Sequence, residues 1–378
     1  MRIAIIGVKA LPMGASGIAR EVEEFGSRLA ERGHDITVYV RKHYYPKGTE
    51  IPRTYKGMNI IALPSLRFKH FDTLSTSLLA TLDAVRRGYD VVHFISTGVA
   101  WLAPICRLRR TKTVVSIQGF EWERSKWGRL GRLFLRLSEW ATVRLPNATV
   151  AVSQTLYDYA LAKFKRPIHC VPDGVVSIEH VEQTELASVG LEPNEYILYM
   201  GRLDEAKGGH LLTQAFLGLK TEMKLAFAGD GTFSERYVGR LHELAKDDPR
   251  IRFLGSVTGR LWQELYTNAY LYVHPSESEG LSQALLEGMS AGNCCVVSDL
   301  EANLEAIGDN GVVFPSGNWQ ALQNRLAELL EDEPRARAIG AQAKEWVRSI
   351  FSWDKTADQM EKIYAGLAKS KDVPPLEQ

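Results

Sequence analysis

Short apolar runs rich in β-branched residues recur along this chain, each followed by a stretch of helical periodicity. Arg2–Gly7 is the first, and Asp35–Tyr39, Met58–Ala62, Val91–Phe94, Thr113–Ile117, Ala148–Ala151 and Ile168–Val171 continue the series. Runs that are apolar on both faces and alternate with helices predict a parallel sheet covered on both sides. The pattern restarts at Tyr196–Met200 and passes through Leu225–Ala228, Ile251–Leu254, Leu271–Val273 and Cys294–Val297. A chain of 378 residues exceeds one comfortable core. The expected fold is therefore α/β, with two doubly wound, Rossmann-like domains facing a cleft. We place the hinge near Val171-Pro172-Asp173-Gly174-Val175, giving domains of 1–172 and 173–353. A helical stretch over 354–368 is long enough to cross back onto the first domain, and the last ten residues read as disordered.

The overall charge of +1 conceals a division. Residues 1–172 carry 27 Lys and Arg against 13 Asp and Glu, and the remainder carries 19 against 32. A basic half is drawn to something anionic. Nothing in the pattern points to nucleic acid. The four cysteines lack metal-ligand spacing, and the adjacent pair Cys294-Cys295 is a poor disulfide, so a reducing cytoplasm is expected. The apolar run at the N-terminus is too short for a signal peptide, and no run is long enough to span a bilayer.

Two carboxylates stand eight residues apart in Pro275-Ser276-Glu277-Ser278-Glu279-Gly280-Leu281-Ser282-Gln283-Ala284-Leu285-Leu286-Glu287. In a strand–loop–helix unit Glu279 falls on the loop and Glu287 about two turns into the helix, on the same face. Gly280 leaves the helix N-terminus open to a phosphate. Acceptor carboxylates beside an anion site suit a nucleotide sugar. The alternative is a capping acid and an ordinary surface acid. Gly201-Arg202-Leu203-Asp204-Glu205-Ala206-Lys207-Gly208-Gly209 follows another strand. Arg202 and Lys207 there would form a diphosphate clamp, or they are incidental bases on a solvated loop. The loop Gly14-Ala15-Ser16-Gly17 lacks the spacing of a dinucleotide or P-loop motif. Its backbone would approach phosphates, or it is a flexible turn. His93, with Ser96-Thr97-Gly98, and Gln118-Gly119-Phe120-Glu121-Trp122 follow strands of the first domain and are expected on the cleft floor. A lone His after an apolar strand also fits a structural role.

Residues 124–144 read as one helix. Trp127, Leu130, Phe134, Leu137 and Ala141 form a stripe that we expect in the core, and Arg129, Arg132 and Arg136 beside it are expected to face anionic lipid headgroups. Residues 104–146 hold ten basic and three acidic residues. No Asp-x-Asp occurs, so the paired acids that would hold a divalent metal under a diphosphate are missing.

Taken in order, these motifs resemble the retaining glycosyltransferases of family 4, with the GT-B fold. The resemblance spans nearly the whole chain. It rests on the N-terminal glycine loop, the hinge, the Gly-Arg…Lys-Gly segment, Gly229-Asp230-Gly231, Arg252-Phe253-Leu254-Gly255, Glu279 with Glu287, and Phe351-Ser352-Trp353. It implies that Arg202 and Lys207 clamp the diphosphate and that Glu279 bonds the donor sugar hydroxyls. Gly280, Leu281 and Ser282 would meet sugar and phosphate, Glu287 the ribose, and Ser256-Val257 the base. Gly17 and Gly201 belong to the same donor set, and His93, Gln118 and Glu121 to the acceptor side. The chemistry implied is front-face displacement with retention, without cofactor or metal. A nucleotide-sugar donor, a glycan or lipid-linked acceptor, and an anionic membrane surface are the expected partners. The family usually has His-Gly where this chain has Gln118-Gly119. The stretch from Gln118 to Trp127 is similar to a subgroup associated with rhamnosyl transfer in surface-polysaccharide assembly. A sugar-nucleotide epimerase of the same fold and a donor-binding pseudoenzyme are the alternatives.

Overall fold

The computed structural model describes residues 1–12, 17–46, 48–66, 72–123, 127–231 and 235–369. It divides into two compact units. One comprises Met1–Trp122, Trp127–Gly174 and the C-terminal helix from Trp353; the other is essentially Val175–Ser352.

The first unit runs β1 (Arg2–Ile6), α1 (Gly17–Glu31), β2 (Asp35–Arg41), β3 (Thr54–Tyr55), β4 (Met58–Leu63), α2 (Asp72–Arg87) and β5 (Val91–Phe94). It continues through α3 (Ala103–Cys106), β6 (Lys112–Ile117), α4 (Arg129–Arg144), β7 (Ala148–Ala151), α5 (Gln154–Phe164) and β8 (His169–Cys170). The sheet order is β3-β4-β2-β1-β5-β6-β7-β8. Among the described residues only the two-residue edge strand β3 is antiparallel, paired to β4. Ile3, Ile5, Val91, Val92, Val114 and Val115 are wholly buried, because a central parallel strand has helices on both faces.

The second unit runs β9 (Tyr196–Met200), α6 (Gly209–Leu217), β10 (Lys224–Ala228), α7 (Glu235–Ala245), β11 (Ile251–Gly255), α8 (Gly259–Thr267) and β12 (Leu271–His274). It closes with α9 (Gln283–Ser290), β13 (Cys294–Ser298), α10 (Glu301–Ile307), β14 (Val312–Phe314), α11 (Trp319–Glu331) and α12 (Glu333–Ile350). Its six strands are all parallel, in the order β11-β10-β9-β12-β13-β14. This is the doubly wound order in which strand addition reverses its direction across the sheet between the first strand and the fourth, here β9 and β12. Two apolar clusters cover the sheet, one around Leu198, Tyr272 and Leu286, the other around Phe216, Phe227 and Leu322. Glu264, wholly buried, ties the connection into this unit. Its carboxylate accepts from the backbone N–H groups of Thr184, Glu185 and Leu186 and pairs with Arg260.

The last helix, α13 (Trp353–Lys369), belongs to the first unit and packs on α1. Arg28 pairs with Asp354 at 2.7 Å, and Arg32 with Asp358 at 2.7 Å and Glu361 at 2.9 Å. No helix among the described residues is long and apolar enough to cross a membrane.

The structure corrects the reading of α4. The helix starts at Arg129, and it buries Leu135, Ser138, Ala141, Thr142 and Val143. Leu130, Phe134 and Leu137, expected in the core, lie on the outside. Two stripes of helical spacing run along this sequence, and the more polar one is inside. Its hydroxyls hide their polarity: Ser138 donates to Phe134 O at 2.9 Å and Thr142 to Ser138 O at 2.8 Å.

Candidate active site

Where β9 and β12 lie side by side, the loops leaving their carboxyl ends diverge. In doubly wound sheets that divergence opens the ligand crevice. The loop after β9 holds Gly201 to Gly208, and the loop after β12 holds Pro275 to Ser282. They are stitched together, Glu277 N donating to Ala206 O at 2.8 Å. Gly208, at φ 66°, allows the approach: a Cβ there would lie 1.9 Å from Pro275 O. Gly229, at φ 143°, does the same for the loop after β10, since its Cβ would lie 1.8 Å from Gly201 O. The Pro275-Ser276 segment is held from below, where Ser298 Oγ donates to Ser276 O and Asn303 Nδ2 donates to Ser298 Oγ at 2.9 Å.

Lys207 and Glu279, 72 residues apart, meet here. The ammonium Nζ donates to Glu279 Oε1, with only 16% and 6% of the two side chains exposed. His274 Nε2 is 2.9 Å from the same oxygen. Ser276 Oγ is 3.2 Å from Nε2, and Tyr272 OH is 3.3 Å from Nδ1. An ionised carboxylate requires the Nε2 proton on the histidine, which leaves Nδ1 to accept from Tyr272 in the neutral ring. Burial alone would raise the Glu279 pKa; the Lys207 charge, then the His274 hydrogen bond, overcome it and hold the acid well below the usual carboxylate range. Burial pushes the Lys207 ammonium down, Glu279 partly restores it, and the nearby Arg202 guanidinium lowers it again. The result is a fixed carboxylate with one buried cation against it.

Arg202 is half exposed, paired with Asp204 at 2.6 Å. Tyr199 OH donates to the Arg202 carbonyl at 2.8 Å and fixes the backbone beneath it. Gly280 is buried, Leu281 packs on the core beside it, and Ser282 caps α9 by accepting from Leu285 N. Glu287 lies one turn into α9 rather than two, because the helix begins only at Gln283. It is 7% exposed and accepts from Tyr266 OH at 3.2 Å. The buried Tyr272 phenol is pushed up by burial first, then by Cys295 and Tyr199, with Glu287 and Glu279 adding after them. Val257 is buried in the core, whereas its neighbour Ser256 is exposed and donates to Asp230 Oδ2 at 2.6 Å. The second unit thus gathers Gly201, Arg202, Lys207, Glu279, Gly280, Leu281, Ser282 and Glu287 on the loops and helix at one end of its sheet. The sequence reading missed His274. Its signal was a polar residue closing an apolar strand immediately before the acidic loop.

The first-unit residues are more dispersed. His93, expected on a cleft floor, is 1% exposed inside the unit. Its Nδ1 lies 2.7 Å from Tyr364 OH and its Nε2 2.7 Å from Ser116 Oγ. Burial pushes its pKa down to about 3. The reason is register: β5 is a central strand whose side chains are all covered. Gln118 Nε2 donates to Glu21 Oε1 at 3.1 Å. Glu21, on α1, is 4% exposed, and burial first and Asp173 second raise its pKa well above the ordinary value. Nothing in the helical pattern singled Glu21 out. Ser96 Oγ donates to Glu121 Oε1 at 3.2 Å, joining the loop after β5 to the loop after β6. Gly17 is the exposed first residue of α1, and Gly14, Ala15 and Ser16 lie outside the described residues.

Two parallel doubly wound units define a protein of the GT-B class, and solved structures carry the same fold. Sucrose-phosphate synthase from Thermosynechococcus elongatus superposes with a TM-score of 0.83 at 20% identity, over 97% of this chain and 99% of that one. Anabaena HepE in complex with UDP-glucose gives 0.80 at 17% identity, over 97% and 100%. Residues 15–177 match Glycosyltransferase Family 4 and residues 182–346 match Glycosyl transferases group 1. An uncharacterized glycosyltransferase of Methanocaldococcus jannaschii is 24% identical over 96% of this chain and 98% of its own length. The chain belongs to these glycosyltransferases.

Proposed function

We propose that the protein moves a hexose-type sugar, with retention, from a nucleotide-diphosphate donor to a glycan or lipid-linked acceptor in cell-surface polysaccharide assembly. The observation that carries this reading is the Lys207–Glu279–His274 cluster at the switch point of the second sheet. A carboxylate held ionised accepts from sugar hydroxyls, and His274 and Lys207 fix its position. Lys207 has three donors, so it can hold Glu279 and still meet a phosphate oxygen. Arg202, exposed and forked, supplies the second cation as charge grows on the departing diphosphate. With these two in place the reaction needs neither metal nor cofactor. Glu287 takes the ribose hydroxyls. The leaving phosphate receives the acceptor proton as the new bond forms on the same face. Gln118, a neutral donor and acceptor, stands where the family has His and bears on the choice of donor sugar. HepE, a protein of the same fold, is seen with UDP-glucose, which makes UDP-sugars the first donors to test. The reaction belongs at the cytoplasmic face of the membrane, with the basic first unit toward anionic lipid.

The test begins with UDP-, GDP- and dTDP-sugars in thermal-shift assays, since a bound donor stabilises by mass action. Transfer is then followed by NMR of the anomeric proton. An α-linked donor is expected to give an α-linked product, and inversion refutes the mechanism. Glu279→Ala is expected to fold and to lose roughly 100-fold or more in turnover. Near-native turnover removes Glu279 from the chemistry. Conversion of the donor to another sugar nucleotide without acceptor identifies an epimerase, and binding without transfer identifies a pseudoenzyme.

A further inference from the structure

The outward face of α4 is apolar, and no described part of the first unit covers it. Leu130, Leu133, Phe134, Leu137 and Trp140 are between 43% and 84% exposed. Their spacing is that of a continuous helical stripe, about 15 Å long from Leu130 to Trp140. Trp101, on the turn Thr97–Leu102 that packs against α4, extends the stripe: its ring lies 6.2 Å from that of Trp140. Its indole N–H is anchored to Ser138 Oγ at 2.9 Å, so the ring is held in place while partly exposed. The same turn packs on α2, whose Leu78 and Leu82 are also exposed. An apolar patch of this extent is a docking surface.

Charge identifies the occupant. Arg129, Arg132 and Arg136 are exposed among these apolar residues. The one acid in α4, Glu139, is 5% exposed and paired with Lys163 at 2.8 Å. The exposed face of the helix therefore presents cations and hydrocarbon and no anion. A second copy docked face to face would set arginine against arginine. An anionic bilayer offers phosphates to the guanidinium groups and acyl chains to the leucines, with tryptophan at the boundary between them.

We propose that α4, with Trp101 beside it, inserts its apolar face into an anionic bilayer surface. This rests on the reading of the basic unit as lipid-facing and adds that hydrocarbon contact, not charge alone, holds the protein there. The test is co-sedimentation of the full chain with vesicles of phosphatidylcholine, with and without phosphatidylglycerol. Wild-type protein is expected to bind the anionic vesicles. The triple variant Leu130→Gln, Phe134→Gln, Leu137→Gln is expected to bind about tenfold more weakly or worse, and so is Arg129→Gln with Arg132→Gln and Arg136→Gln. Lipid with brominated acyl chains is expected to quench wild-type fluorescence, and Trp140→Phe to quench less. Undiminished binding by the leucine variant overturns the proposal, because attraction would then be purely electrostatic. No vesicle binding, or a wild-type dimer in light scattering that the leucine variant abolishes, overturns it as well. All substituted side chains are exposed, and the melting temperature checks the fold. None of the substituted residues has a place in donor binding, so a thermal shift by nucleotide sugar tests the transferase reading separately from vesicle binding.

Discussion

Two histidines, His93 on β5 and His274 on β12, sit on the strand paired beside the first strand of their sheets, and their partners give them opposite uses. His274 faces the Glu279 carboxylate and orients it. His93 faces two hydroxyls and no charge, so burial keeps it neutral down to about pH 3. A free imidazole takes a proton near pH 6.5, so between about pH 6.5 and 3 the unfolded chain binds a proton that the folded chain refuses. Stability from this residue is full above that window and falls as pH drops through it, at most about 1.4 kcal/mol per pH unit. His93→Gln is expected to flatten the loss of urea resistance between about pH 6 and 4. An unchanged slope would assign the acid sensitivity to other groups. Both histidines are equally plain in the sequence; what separates them is the neighbour each strand brings.

At the scale of elements, α13 shows which forces hold a helix to its unit. Its polar edge is tied to α1 by Arg28 and Arg32, but those pairs are partly exposed, and such pairs contribute about 0–1 kcal/mol each. Its buried edge carries Ala357, Met360 and Tyr364, the last wholly enclosed. Arg32→Ala is therefore expected to cost about 1 kcal/mol or less, and Tyr364→Ala about 3 kcal/mol or more, in urea unfolding. Equal losses would mean that the ion pairs, not the packing, fasten the helix. The helix itself was legible in the sequence from its amphipathic period. So was α4, yet the choice between its two stripes was not. Ser138 and Thr142 look like surface residues until their hydroxyls are seen bonded to the helix backbone, which lets the polar stripe pack inward and leaves the leucines outside.

At the scale of the molecule, the chain is two units with separate cores and opposite charge. All the residues that gather around Glu279 belong to one of them, and Gln118 is the donor-sugar residue of the other, so a donor should stabilise the Glu279 unit more. In calorimetry a nucleotide sugar at about 100 times its dissociation constant is expected to add up to about 2.7 kcal/mol, most of it to that unit's transition. Equal shifts in both would mean that the first unit holds the donor as firmly as the loops around Glu279. By itself the sequence determined the number of units, most strands, and the order of the glycines, bases and acids at strand ends. These follow from local backbone geometry, in which a strand repeats every two residues and a helix every 3.6. The tertiary structure alone decided that His93 meets Tyr364 across 271 positions, that Lys207 meets Glu279 across 72, and which face of α4 is left to solvent. Those outcomes depend on the path the chain takes between distant residues, and no local period encodes that path.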